Sequence, residues 1–116
     1  MHINDIEKMI SSYKGLMGVT SWLHYEKFSV FIRITKHLLN GDFCETIDIS
    51  NISVHSEYQK QGIFKQFLAD IESLAVEHNK VVYVESILND HLLNYLVKKD
   101  YTITDYESKN AFKKFK

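Results

Sequence analysis

The chain has no proline, a single cysteine and only four glycines among its 116 residues. Without proline, every chain reversal falls to Gly, Asn, Asp or Ser, and no cis-proline step can slow folding. Cys44 alone cannot form an internal disulfide, so a reducing, cytoplasmic compartment is expected. No apolar run approaches the roughly 20 residues that span a bilayer, so no membrane partner is expected. The segment Met1-His2-Ile3-Asn4-Asp5 has neither the basic start nor the apolar core of a secretory signal. The net charge of -1 lacks the basic excess of a general nucleic-acid binder, so nucleic acid is not an expected partner. His24, His37, His55, His78 and His91 form no metal-ligand spacing with one another or with Cys44, and no metal is expected.

What is present is a core. Hydrophobic residues make up 45% of the chain and aromatics 13%, enough for one packed domain over residues 1–116. Ile3, Ile6, Met9, Ile10, Tyr13, Leu16 and Met17 fall at helical spacing and predict an amphipathic helix of about four turns, ended by Gly15 and Gly18. Segments 19–25, 28–37 and 43–54 are rich in β formers. Asn40-Gly41 predicts a two-residue hairpin turn, because both positions of a type I′ turn need positive φ. Ile47 and Ile49 share one parity, whereas Ile52 and Val54 have the other. That slip predicts a β-bulge near Ser50-Asn51. Apolar residues from Ile63 to Ala75 return to helical spacing, with Asn79 as the stop. Val81 to Val84 reads as a short buried strand, parallel to the long one before the helix. A helix capped by Asn89 or Asp90 and a hairpin of 101–106 with 110–115 complete the chain. The expected class is α/β (α+β by some schemes): a mixed, mostly antiparallel sheet with helices on both faces.

The stretch Val54-His55-Ser56-Glu57-Tyr58-Gln59-Lys60-Gln61-Gly62-Ile63-Phe64-Lys65 joins a strand to a helix. The first amides of a helix have no partner within it, and with the positive end of its dipole they form an anion site. A phosphate or pyrophosphate is the ligand that such a cradle suits.

Gln59-Lys60-Gln61-Gly62-Ile63-Phe64, preceded by Val54, resembles the pyrophosphate loop Arg/Gln-x-x-Gly-x-Gly/Ala of the GNAT superfamily of N-acetyltransferases. A second segment, Asn89, Leu92 and Lys98-Lys99-Asp100-Tyr101, is similar to that family's Asn-x-x-Ala…Tyr-Glu-Lys-x-Gly-Phe run. The two cover roughly the second half of the chain; the first half matches in coarse order only and looks shortened. The resemblance implies acetyl-CoA as co-substrate, with backbone groups of Gln59, Lys60, Gln61, Gly62, Ile63, Phe64 and Lys65 on the pyrophosphate. It also implies Ile52, Ser53 and Val54 beside the pantetheine arm, and Asn89 and Lys98 near the cofactor. Three departures stand out: Phe64 replaces Gly or Ala, Leu96 replaces the tyrosine that protonates the leaving thiolate, and Asp100 replaces Gly. A side chain at Phe64 either crowds the cofactor or points into the core, the reading that the apolar stripe it shares with Phe67 and Leu68 favours.

An amide near the bulge, at Ser53 or Val54, is the expected donor to the thioester carbonyl. A general base should lie on this strand facing the cleft, and Asp48 stands eleven residues before Gln59, where some members of the family this chain resembles carry a catalytic glutamate. The resemblance thus implies Asp48 as the base, with a solvated position or a pairing with Arg33 as its structural alternative. Glu45 and Glu85 are weaker candidates. Trp22 belongs either to the core or to the acceptor pocket. The expected activity is direct acetyl transfer to an amine on a small molecule or protein. A non-catalytic acyl-CoA-binding or protein-interaction module on the same fold is the alternative. The shortened N-terminal half leaves an open cleft, which suits a macromolecular acceptor or a homodimer partner that completes the site.

Overall fold

The computed structural model describes residues 3–87, 90–105, 107 and 109–115. Helix α1 (Ile3–Ser12) is followed by strands β1 (Val19–His24), β2 (Phe28–Leu39) and β3 (Asp42–Val54). After a single 3-10 turn (Ser56–Tyr58) come α2 (Ile63–His78), β4 (Val81–Val84), α3 (Asp90–Lys98), β5 (Thr102–Asp105) and β6 (Asn110–Lys113). The strands form one sheet in the order β1-β2-β3-β4-β6-β5. Among the described residues only β3 and β4 run parallel; α2 connects them, and every other pairing there is antiparallel.

Local chemistry accounts for the hairpin between β2 and β3. Asn40 and Gly41 both adopt positive φ, 51° and 87°, and Leu39 pairs directly with Asp42. This primed turn matches the twist of the strands it joins. It also sets the register that places Arg33 opposite Asp48.

Phe28, Val30, Ile32 and Ile34 of β2 alternate inward with Ile47 and Ile49 of β3 and with Val82 and Val84 of β4. Against this surface pack Ile6, Met9 and Ile10 of α1, the apolar stripe of α2 from Phe67 to Ala75, and Leu96 of α3. The mixed sheet with helices is as expected, but the placement of the helices differs. The buried side chains of all three belong to this one cluster. The smaller cluster on the opposite face (Leu39, Val81, Tyr83 and Phe112, with Cys44 against it) contains strand residues only. Among the described residues the helices therefore cover one face, not both.

Helix α1 is also shorter than its periodicity suggests. It ends at Ser12, Gly15 turns the chain at φ 83°, and Leu16 and Met17 are almost fully exposed. The chain must reverse there to enter β1 at Val19, so the last two apolar residues of the pattern have no surface to cover.

The expected bulge is present. Ser29 pairs with Ser53 and Phe31 with Ser50, so Asn51 and Ile52 together oppose Val30, and Asn51 takes a positive φ of 50°. One extra residue reverses the parity of everything after it. Ile47 and Ile49 face the helices before the bulge, and Ile52 and Val54 face them after it.

Helix α3 closes with a pair of reverse hydrogen bonds, Tyr101 N–H to Leu96 C=O (3.0 Å) and Asp100 N–H to Val97 C=O (3.0 Å). This arrangement needs a left-handed residue, and Asp100 supplies it at φ 69°. Asp100→Gly should relieve that strain and stabilise the fold by about 0.5–1 kcal/mol, read as a higher urea midpoint at unchanged m-value. A lower midpoint would show that the Asp100 side chain itself supports the turn.

Candidate functional site

Strands β3 and β4 pair only from Thr46↔Val81 to Ile49↔Val84, ending with the bond from Glu85 N–H to Ile49 C=O (3.0 Å). Beyond that point the chains part. β3 continues to Val54 with β2 as its sheet neighbour. The chain after β4 is drawn toward β6, with Ser86 N–H bound by Asn110 Oδ1 (2.8 Å) and Ile87 N–H by Lys109 C=O (2.9 Å). A cleft of about 440 Å³ opens between them. Ser50, Asn51 and Ile52 form one wall and Glu85, Ser86 and Ile87 the other. Ser53 and Val54 extend the β3 wall toward the loop before α2.

That loop is built as an anion cradle. Lys60 and Gly62 both adopt positive φ, 63° and 73°. The first intrahelical bond of α2 runs from Gln66 N–H to Gly62 C=O, and no side chain among the described residues caps the helix. The amides of Ile63, Phe64 and Lys65 therefore project from the helix start with no acceptor inside it. A Cβ built on Gly62 would meet nothing within 4 Å, so its surroundings are open. The glutamine side chains brace the loop: Gln59 Nε2 donates to Val54 C=O and Gln61 Nε2 to Glu57 C=O, both at 3.1 Å.

A second cavity of about 280 Å³ lies against this loop, bordered by Val54, Gly62, Ile63, Lys65, His91 and Tyr95. The Lys65 ammonium sits 5.1 Å from the Tyr95 ring. Phe64 and Leu92 border both cavities, so the cleft and the cradle meet across them. Phe64 does pack on the main core, as its periodicity suggests, yet its ring also borders both openings.

Asp48 lies on the expected strand, but it is 1% exposed and does not border the cleft. Both its oxygens are engaged: Thr46 Oγ1 donates to one at 2.6 Å, and His37 Nε2 lies 2.7 Å from the other. Arg33 stands 3.9 Å from Asp48 and 3.8 Å from Glu85. The His37 ring stacks on Tyr83 at 4.0 Å, and the Tyr83 hydroxyl accepts from Asn110 Nδ2 (3.1 Å). A carboxylate this deep needs such partners, since an unpaired buried charge is strongly unfavourable. Asp48 thus takes the Arg33 pairing foreseen as its structural alternative, within a larger network. Glu85 is the member that reaches the cleft.

The remaining expected residues separate. Lys98 is exposed at the end of α3 and borders neither cavity. Asn89 lies outside the described residues. Leu96 is fully buried in the core. Glu45 pairs with Lys80 beside a different cavity, lined also by Phe43, Val76 and Lys114. As a lone histidine in the sequence, His37 carries no motif that marks it. The signal for it is hairpin register, because the Asn40-Gly41 turn puts residue 37 on the same sheet face as Arg33 and Asp48.

His37 is held above the ordinary histidine pKa chiefly by its hydrogen bond to Asp48, with burial opposing and the charges of Asp48 and Glu85 assisting. Burial, then the Asp48 charge, raises the Glu85 carboxyl, with Arg33 and His37 opposing. Both groups bind more protons folded than unfolded between their ordinary and raised pKa values. Their contributions are complete below the unfolded pKa and disappear as pH climbs through the folded one. Stability should therefore decline from about pH 6.5 upward through the His37 titration. Urea unfolding of His37→Gln should lose that part of the slope; an unchanged pH dependence would remove His37 from the account.

No family model matches the chain, and no curated protein matches it by sequence. Solved structures do match in shape. The AtaT Y144F mutant toxin, bound to the C-terminus of the antitoxin AtaR and acetyl-CoA, superposes with a TM-score of 0.57 at 10% identity, over 76% of this chain and 58% of that one. The KacTA–DNA complex gives 0.57 at 11% identity, over 96% of this chain and 79% of that one. The present chain thus spans well under two thirds of the AtaT length. The splayed parallel pair, the loop entering α2 and these likenesses agree on one fold, that of the GNAT-like N-acetyltransferases.

Proposed function

We propose that this chain binds acetyl-CoA and transfers the acetyl group to an amine. The observation that carries the reading is continuity: the free edge of β3 beyond Ile49 runs into a helix start whose amides are unclaimed. A pantetheine arm pairs with an open strand edge through its own amides, and a pyrophosphate seeks N–H donors at a helix start. The residues present fit both ends of such a molecule. Ile52, Ser53 and Val54 would hold the arm. The backbone from Gln59 to Lys65 would hold the pyrophosphate, with Lys98 as a more distant charge and Asn89 assigned by motif alone.

When bound, acetyl-CoA supplies an acetyl group activated as a thioester. The chain's own tasks are to polarise that carbonyl, to deprotonate the amine and to hold the reactants together. An amide of Ser53 or Val54 is assigned the first task. For the second, the expected base Asp48 acts as half of a pair. Glu85 borders the cleft and takes the proton; Asp48, sealed behind it, raises the basicity of Glu85 by like-charge repulsion. Leu96 has no proton to offer, and Tyr95 borders the loop cavity rather than the cleft, so the leaving thiolate takes its proton from water.

The buried Leu96 also favours a second reading, a non-catalytic acyl-CoA-binding module. Calorimetry with CoA, followed by a thiol-release assay on amine and peptide panels, separates the two. Binding without CoA release selects the second reading, and absence of binding at millimolar CoA removes both.

Gly62→Glu sets a carboxylate in the open space of the cradle. It should weaken CoA binding at least a hundredfold and leave the circular-dichroism spectrum unchanged, at a stability cost of about 1–2 kcal/mol for the left-handed residue. Retained affinity would mean that the pyrophosphate sits elsewhere. Glu85→Gln should lower kcat/KM about 10²–10⁴-fold and abolish its acid limb, the rise with pH as the base loses its proton. Asp48→Asn should instead move that limb to lower pH. If Asp48→Asn abolishes the limb and Glu85→Gln only shifts it, the roles are reversed.

A further inference from the structure

The face of the sheet without helices carries a row of side chains that the preceding chemistry does not use. Strand register places Trp22 of β1 opposite Phe31 of β2, and Phe31 opposite Ser50 of β3. Ser50 is a wall of the cleft, and Glu85, one residue past the last β3–β4 pair, is the facing wall. The row Trp22–Phe31–Ser50 thus leads straight to the carboxylate. Trp22 is half exposed, at 51%. Its ring contacts Phe31 at 5.3 Å between centroids and lies nearly parallel to His24, 6.2 Å away. The Arg33 guanidinium stands 5.8 Å from the Phe31 ring and holds that side of the row.

Large aromatic surface in a soluble domain is ordinarily buried, and an exposed aromatic row continuous with a cleft marks a binding surface. We infer that this row is the acceptor platform, and that the acceptor is a primary amine carrying a flat aromatic ring on a short spacer. The inference rests on the acetyl-transfer reading. Three observations select this occupant. Trp22, Phe31 and His24 offer ring faces, which reward stacking by another ring more than contact with an aliphatic chain. The platform ends at the Glu85 carboxyl, the group of this network that borders the cleft and that Arg33 approaches at 3.8 Å, so the amine end of the ligand, which must give up its proton, belongs there. Neighbouring strands lie about 4.8 Å apart, so a ring above Phe31 stands about one strand spacing from an amine over Ser50, the reach of a two-carbon spacer. A longer aliphatic polyamine would overrun the row onto β1 without using its rings.

Trp22 is the only tryptophan of the chain, so its fluorescence reports this surface directly and without CoA. Phenethylamine and hexylamine carry the same charge and differ in the ring. Phenethylamine should change the Trp22 emission and bind at least tenfold more tightly than hexylamine. Phe31→Ala should erase that difference while leaving CoA affinity unchanged in calorimetry. In turnover, Trp22→Ala should lower the phenethylamine-to-hexylamine ratio of kcat/KM about tenfold. Equal response and equal turnover for the two amines, with CoA bound and released, would overturn the platform and spare acetyl transfer. A ring preference in fluorescence without CoA binding would keep the platform as an aromatic-amine site and remove acetyl transfer. Should a peptide with an N-terminal aromatic residue exceed phenethylamine a hundredfold in kcat/KM, the small-molecule acceptor class would be wrong.

Discussion

The functional end of this molecule depends on one constraint: β3 must serve a core and a cleft along the same strand. Up to Ile49 it is a central strand with a neighbour on each side. The extra residue at Asn51 then reverses its parity, so Ile52 and Val54 still face the helices. A regular strand would have turned these apolar residues to the open face and presented Asn51 and Ser53 to the core. The bulge lets the strand continue with its core face intact after β4 has departed. What results is a stretch of β3 with a free edge, held firmly from the other side by β2.

The same parity rule arranges the charges. Before the bulge, Thr46, Asp48 and Ser50 occupy the face opposite the helices, and hairpin register sets Arg33 against Asp48. A carboxylate at 1% exposure persists only because Thr46, His37 and Arg33 attend it, and each comes from that face of β2 or β3. Tyr83 and Glu85 extend the group across β4. The network thus joins the interior of the sheet to the cleft. Its deep member is held by Thr46, His37 and Arg33 and its outer member reaches the cleft, where burial and the neighbouring Asp48 keep the Glu85 carboxyl basic.

Much of this was legible in the residues. The Asn40-Gly41 turn, the parity slip at Asn51, the left-handed stop at Asn79 and the apolar run at Val81 each act through local backbone rules, and each appears where those rules put it. What escaped was whatever depends on which face a helix covers. Helical periodicity marks an apolar stripe without saying which side of a sheet receives it, so the gathering of α1, α2 and α3 into one cluster was not readable. Asp48 suffered the same ambiguity. Its strand was clear, but whether it met water, the cleft or a buried partner turned on His37, whose place follows only once the hairpin register is counted out. Leu16 and Met17 mislead in the opposite direction, with a correct period that outlasts the surface available to it.

The uncovered face then takes on a physical meaning. A sheet with helices on one side ordinarily shows water a polar second face. Near the hairpin that holds only in part, since Leu39, Val81, Tyr83 and Phe112 make a small core of their own. Toward the cleft the face carries Trp22 and Phe31 beside Arg33 and a pair of carboxylates. Aromatic surface and buried charge are both unfavourable to leave without partners, and here they share one end of one face, against the wall where β3 and β4 separate. A stability argument alone would distribute such groups or cover them. Their concentration at the mouth of the cleft follows if the chain must hold a molecule that has a ring at one end and a proton to give up at the other.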